Sequence, residues 1–149
     1  MTAVGATQGR PVIGITTYRE QAAWSVWNMS SDLLPSVYTR SVEAAGGVVV
    51  LLPPQADGMA QVVSRLDGLI IAGGADVDPE RYGQMPHPMT KVRRDRDAWE
   101  FGLLDAADRL AEQHPVQAFV MAAEERSIDW RQVAAWAVLL VISVFAHAY

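Results

Sequence analysis

Short apolar runs alternate with longer amphipathic segments along most of this chain. The runs predict β-strands at 11–17, 48–52, 68–72 and 116–121. The runs at 48–52 and 68–72 are apolar at consecutive positions, a pattern typical of a parallel strand that is covered on both faces. We therefore expect these two strands to lie inside a sheet.

Helical spacing of apolar residues predicts helices at 32–45, 57–66 and 97–113. We expect the last helix to begin at Asp97, with Glu100 three residues later completing a capping box. The segments 18–31 and 75–94 show no clear period, so both are predicted to be loops.

Strands that alternate with helices predict an α/β fold built on a parallel sheet with helices on both faces. Ligands of such sheets bind at the carboxyl ends of the strands, so we expect any functional site there. We expect a disordered lead-in at 1–10, one partial domain at 11–121 and a separate tail at 122–149.

Composition and charge exclude several classes of function. The chain has 149 residues, of which 50% are hydrophobic and 19% charged, which excludes a disordered protein. Its net charge of -5 gives no basic excess for nucleic acid, so no nucleic-acid partner is expected. The absence of cysteine excludes disulfides, thiolate metal sites and a cysteine nucleophile within these residues. Residues 1–10 lack the apolar stretch of a secretory signal, and we expect a cytoplasmic protein.

Four segments, in order, resemble one known family. They are PVIGITTYRE at the first strand, AGG just before the second strand and LP at its end, LDGLIIAGGADVDPERYG at the third strand and RDRDAWE at the last helix. Together they resemble the γ-glutamyl-γ-aminobutyrate hydrolases, also called peptidase C26, of the class I glutamine amidotransferase-like group. The resemblance implies a flavodoxin-like fold and hydrolysis of a small γ-glutamyl amide by a Cys-His-carboxylate triad. It implies no cofactor.

The resemblance also suggests residue roles. Gly73 and Gly74 match the family's glycine pair at the oxyanion hole, where a missing Cβ lets a backbone N–H approach the developing charge. Arg96 and Asp97 match an Arg-Asp pair and are candidate substrate contacts, the alternative for Arg96 being a solvated loop. Val120 falls where the family has its cysteine, and the family's histidine and carboxylate lie further along. We therefore expect no catalytic residue in this chain, and no hydrolysis by it.

Other polar residues are expected to have structural roles. Asp76, Asp78 and Glu80 lack the remaining ligands of a calcium loop, so we expect turn formation and no metal site. His87 and His114 each adjoin a proline in a predicted loop and are not expected to be catalytic bases. Further residues that we assign to solvated surface or packing are Arg93, Arg94, Tyr38, Trp24 and Trp27.

The tail from Gln132 to Tyr149 carries no charged side chain and predicts an apolar helix of nearly membrane length. Three interpretations are open. The stretch from Val133 to Tyr149 would contact a membrane, with Arg126 and Arg131 on the cytoplasmic side. Alternatively, the helix is buried or bound to a partner, or the segment is unrelated sequence joined by a frameshift or fusion. Because a sheet ending at its fourth strand leaves an open edge, we also expect association into homo-oligomers.

Overall fold

The computed structural model describes residues 9–113 together with two short strands at 119–122 and 139–142. A parallel five-stranded sheet forms the centre. Its strands are β1 Val12–Thr16, β4 Val48–Leu52, β5 Gly68–Ile71, β6 Phe119–Ala122 and β7 Leu139–Ile142. They lie in the order β4-β1-β5-β7-β6. Strand β1 runs in register with β4 on one side, where Val12 pairs with Val48, and with β5, the central strand, on the other. This arrangement confirms the α/β class and the parallel sheet.

Three helices, α1 Ser36–Ala44, α2 Met59–Val63 and α3 Arg94–Gln113, pack on this sheet. The buried side chains form two clusters, and successive residues of β5 alternate between them. One cluster includes Trp99 of α3 and the other includes Val42 of α1. The alternation is what a strand with both faces covered requires.

The segment 18–31, which we predicted to be a loop, is instead a β-hairpin. Strands β2 Tyr18–Trp24 and β3 Trp27–Leu33 pair antiparallel over their whole length. The two-residue turn between them has Ser25 at a positive φ of 50°. It lacks the glycine or asparagine that usually indicates such a turn, which is why the pattern gave no hairpin signal.

Two further predictions are wrong in detail. Strand β4 is correctly placed but lies at the sheet edge, and Val50 and Leu51 are 40% and 45% exposed. A run of apolar residues does not show whether a strand has a neighbour on each side. Helix α3 begins at Arg94, so Asp97 lies inside its first turn and forms no capping box; its carboxylate instead accepts a hydrogen bond from the Asp78 N–H.

The predicted apolar helix of the tail is wrong at 139–142, where the chain forms β7 between β5 and β6. Periodicity cannot separate a buried strand from a helix in a short apolar run such as LLVI. Residues 1–8, 114–118 (His114 among them), 123–138 and 143–149 lie outside the described residues, and the domain limits remain predictions. Within the ranges that the structure describes, no helix is both long and apolar enough to cross a bilayer.

Candidate functional site

A cleft of about 190 Å³ lies beside the carboxyl ends of β1 and β5. Three segments meet there: the start of the hairpin, the residues after β5 and the start of α3. The position is where ligands bind in parallel sheets. The lining residues are Tyr18, Arg19, Glu20, Gly74, Ala75, Arg93, Asp95 and Arg96.

Gly74 occupies a position that only glycine fits. Its φ is 149°, and a Cβ there would collide with Nη1 of Arg96 and lie 3.0 Å from Cε1 of Tyr18. The two predicted glycines differ in their bonding. The Gly73 N–H donates to Oη of Tyr38 at 3.3 Å, whereas no acceptor among the described residues bonds the Gly74 N–H. Gly74 is therefore the better placed of the two to donate to a ligand.

Arg96 of α3 binds the turn that contains Gly73 and Gly74 through hydrogen bonds. Its side chain is only 7% exposed. Nη2 donates to the carbonyl oxygens of Ala72 and Gly73, the latter at 3.3 Å, while Nε donates to Oε1 of Glu100 at 2.7 Å. The guanidinium carbon also lies 4.9 Å from the ring centre of Tyr18. Arg96 thus lines the cleft, and its bonded donors point into the protein. The alternative prediction, that Arg96 lies in a solvated loop, is wrong.

Glu100 is the buried partner of Arg96. Burial raises the pKa of the Glu100 carboxyl, while the charge of Arg96 and the hydrogen bonds from Thr16 and Arg96 oppose that rise. The Thr16 hydroxyl also accepts from the Ala72 N–H at 2.9 Å. Glu100 and Thr16 were missed as site residues, although the spacing of Arg96 and Glu100 on one helix face was a usable signal.

Two tyrosines contact the glycine pair, Tyr18 next to Gly74 and Tyr38 next to Gly73. Burial, with the nearby Tyr38 phenol as the next cause, raises the pKa of Tyr18 to about 12. Tyr18 therefore keeps its proton at neutral pH and cannot serve as a general base there. Tyr38, which we assigned to packing, also bonds the Gly73 N–H.

Asp97 lies in the first turn of α3 but does not line the cleft. It is 5% exposed, and its Oδ2 accepts from the Asp78 N–H at 2.8 Å. Oδ1 of Asp78 in turn accepts from the Glu80 N–H at 3.1 Å, which caps the 3-10 turn at Pro79–Tyr82. Both carboxylates therefore accept hydrogen bonds from backbone N–H groups. The described part of the chain contains no group of three acidic, histidine or cysteine residues suited to a metal ion.

The remaining candidates lie apart from the cleft. Asp76 pairs with Lys91 through two hydrogen bonds of 2.9 Å, one of them backbone to backbone. The His87 ring accepts at Nδ1 from the Met89 N–H, in an exposed loop. Val120 lies in β6.

Comparison with known proteins gives a consistent result. The family described as Peptidase C26 matches residues 11–121. "Putative glutamine amidotransferase Rv2859c" of Mycobacterium tuberculosis is 48% identical over 102 residues, which are 66% of this chain and 33% of that protein. "Protein NtpR" of Enterococcus hirae is 31% identical over 100 residues, covering 65% of this chain and 42% of that protein.

A third relative is "Putative glutamine amidotransferase-like protein RP404" of Rickettsia prowazekii, 30% identical over 102 residues. That alignment covers 66% of this chain and 36% of the relative. The chain thus spans less than half the length of each of these relatives.

Proposed function

Because this chain belongs to the peptidase C26 family of glutamine amidotransferase-like proteins, we propose that its cleft is the oxyanion side of a γ-glutamyl amide hydrolase site. The observation that supports the proposal is the Gly74 backbone. It lines the cleft, admits no side chain, and its N–H bonds no acceptor among the described residues.

Hydrolysis of an amide by acyl transfer places negative charge on the carbonyl oxygen. Backbone N–H donors lower the barrier most when they are already fixed at that oxygen, because nothing then reorganises during the reaction. Arg96 and Tyr38 fix the turn from both sides, through the Gly73 carbonyl and the Gly73 N–H. The buried guanidinium adds positive charge close to the same turn.

The cleft also suits a small amino-acid-like substrate. Its rim carries charges of both signs, Arg93 and Arg19 against Glu20 and Asp95. A γ-glutamyl group bears an α-amino and an α-carboxylate group, and these would bind at the rim by exchanging partners with the Arg93–Glu20 and Arg19–Asp32 pairs. We assign the γ-glutamyl group to the cleft on this basis.

We further propose that the 149-residue chain does not complete the reaction alone. It contains no cysteine, and valine at position 120 cannot attack a carbonyl. The chain would then be a non-catalytic form of the fold, paired with an intact relative.

Glutamate release from γ-glutamyl-γ-aminobutyrate tests both parts. We would compare the purified chain with a chimaera whose residues after Pro115 come from the M. tuberculosis relative. We expect release by the chimaera and none by the chain. Release by the chain would show that another nucleophile acts. A folded chimaera that releases nothing, while the intact relative does, would reject the assignment of the cleft.

Gly74→Ala in the chimaera tests the oxyanion role. Alanine keeps the backbone N–H, but its Cβ would collide with Arg96 and move that donor away from the oxyanion position. Loss of one oxyanion donor lowers kcat by about 10²–10³-fold in known cases, and we expect a loss of that order. Gly83→Ala is the matched control, because Gly83 also has a positive φ of 72° but lies in open space. Equal kcat values for the two variants would contradict the role.

A further inference from the structure

The β2-β3 hairpin has two chemically different faces. Its register pairs Trp24 with Trp27 and Ala22 with Met29, which places these four side chains on one face. The opposite face carries the Arg19–Asp32 ion pair, at 2.8 Å, and a hydrogen bond from Gln21 to Asn28, also at 2.8 Å. We call the first set, with Val26 at the turn, the apolar hairpin face.

This face is open to solvent. Trp24 is 49% exposed, Trp27 56%, Met29 46% and Val26 87%. In the part of the chain that the structure describes, β2 and β3 form a sheet of two strands whose outer edges pair with nothing else. Contiguous exposed apolar side chains of this kind mark association surfaces.

The hairpin is also held firmly at its base. Glu20 is bonded by both ends of the Arg93 guanidinium, through Nε at 2.9 Å and through Nη2. Tyr18 packs against the buried cluster of Val42 and Ile70. A surface that is fixed in this way loses little freedom on association.

We propose that the apolar hairpin face is the interface between two copies of this chain. The argument is one of charge. A twofold dimer places a patch against its own copy, so a patch that carries charge of one sign would meet the same sign. The chain carries a net charge of -5, yet no charged residue occurs between Gln21 and Ser31. The alternation also places Glu20 at the base of this face, where Arg93 pairs with its carboxylate. A charged partner would therefore find no unpaired charge to complement here, whereas a second copy meets no unpaired like charge.

The geometry of the patch fits the same symmetry. Trp24 and Trp27 lie side by side across the hairpin, so a twofold axis brings each indole against an indole of the other copy. Four half-exposed indoles supply roughly 500 Å² at about 250 Å² for a whole side chain. With Met29 and Val26 the total approaches the roughly 1,000 Å² of a small specific interface. The dimer should therefore be weak and depend on concentration.

Sedimentation of the full chain over a hundredfold concentration range tests the proposal. We expect a reversible monomer–dimer equilibrium, which the double variant Trp24→Ser/Trp27→Ser shifts at least tenfold towards monomer. Val37→Ser is the matched control, because Val37 is 57% exposed but lies on α1. A chain that stays monomeric throughout, or a dimer that survives the double variant, would overturn the proposal.

Cysteine cross-linking gives an independent result, since the natural chain has no cysteine. Met29→Cys places a thiol on the apolar hairpin face, and Ser30→Cys places one on the opposite face, one residue away. Under mild oxidation we expect a disulfide-linked dimer from Met29→Cys, formed at least tenfold faster than from Ser30→Cys. Equal rates for the two variants would show that this face is not the interface.

Discussion

Replacing Arg96 with methionine should strongly destabilise the protein. Methionine keeps much of the length of the side chain but removes the guanidinium. The carbonyl oxygen of Gly73 and the carboxylate of Glu100 would then lose their donors in a buried position. Both groups would remain shielded from water, so no solvent bond would replace what is lost.

Breaking a buried ion pair by removing one partner costs about 3–5 kcal/mol. This is a large share of the roughly 5–15 kcal/mol that stabilises a domain. Without Arg96, the pKa of Glu100 loses its main lowering influence, and the carboxyl is more easily neutralised by a proton. The loss should therefore be smaller at pH 5 than at pH 8.

Urea unfolding of four proteins measures this: the natural chain, Arg96→Met, Arg96→Lys and Arg96→Met/Glu100→Met. Lysine keeps the charge but cannot serve the carboxylate and two carbonyls at once, so its loss should be intermediate. Removing both charged partners should leave the double variant more stable than Arg96→Met alone. A loss below about 1 kcal/mol for Arg96→Met, or a double variant no better than the single one, would refute the assignment of Arg96 as a clamp.

Three further predictions concern stability. The raised pKa of Glu100 means that the folded state holds this proton more tightly than the unfolded state. The stabilising contribution of the Glu100 proton is present below the unfolded pKa of 4.5 and is lost as pH rises through the folded pKa. The free energy of unfolding of Glu100→Gln, measured across this pH range, should lack that decrease. Gly14→Ala should cost about 1–3 kcal/mol in thermal unfolding, because its Cβ would lie 2.5 Å from Cδ1 of Leu66. Thr17→Val should raise the free energy of unfolding by about 1 kcal/mol, because the buried Thr17 hydroxyl has no hydrogen-bond partner among the described residues. A lower free energy of unfolding in a urea titration would show that the hydroxyl does have a partner.

The sequence predicted the fold best where the pattern of apolar residues agrees with the packing that the structure shows. The runs at 48–52 and 68–72 became strands, and the alternation with helices correctly predicted a parallel sheet. The hairpin was missed because alanine and serine dilute its alternation and its turn carries serine and valine. Strand β7 was missed because a short apolar run suits a strand and a helix equally well.

The site was only partly predictable for a different reason. Gly73, Gly74 and Arg96 were named from the resemblance, and the structure brings Gly74 and Arg96 together at one cleft. The bonds that define their roles join residues far apart in sequence, such as Tyr38 to Gly73. No local pattern encodes such contacts, and buried arginine is too rare for sequence reasoning to expect a clamp.

The contact between Gly74 and Arg96 also constrains the order in which the sequence can evolve. The guanidinium fills the volume that a side chain at position 74 would need, so the two positions share one space. A larger residue at 74 is accessible only after position 96 has become smaller. That first step removes the bonds to the turn, so it should be tolerated only in lineages that have stability to spare. Across relatives, we therefore expect the two positions to change together, with the change at 96 preceding the change at 74.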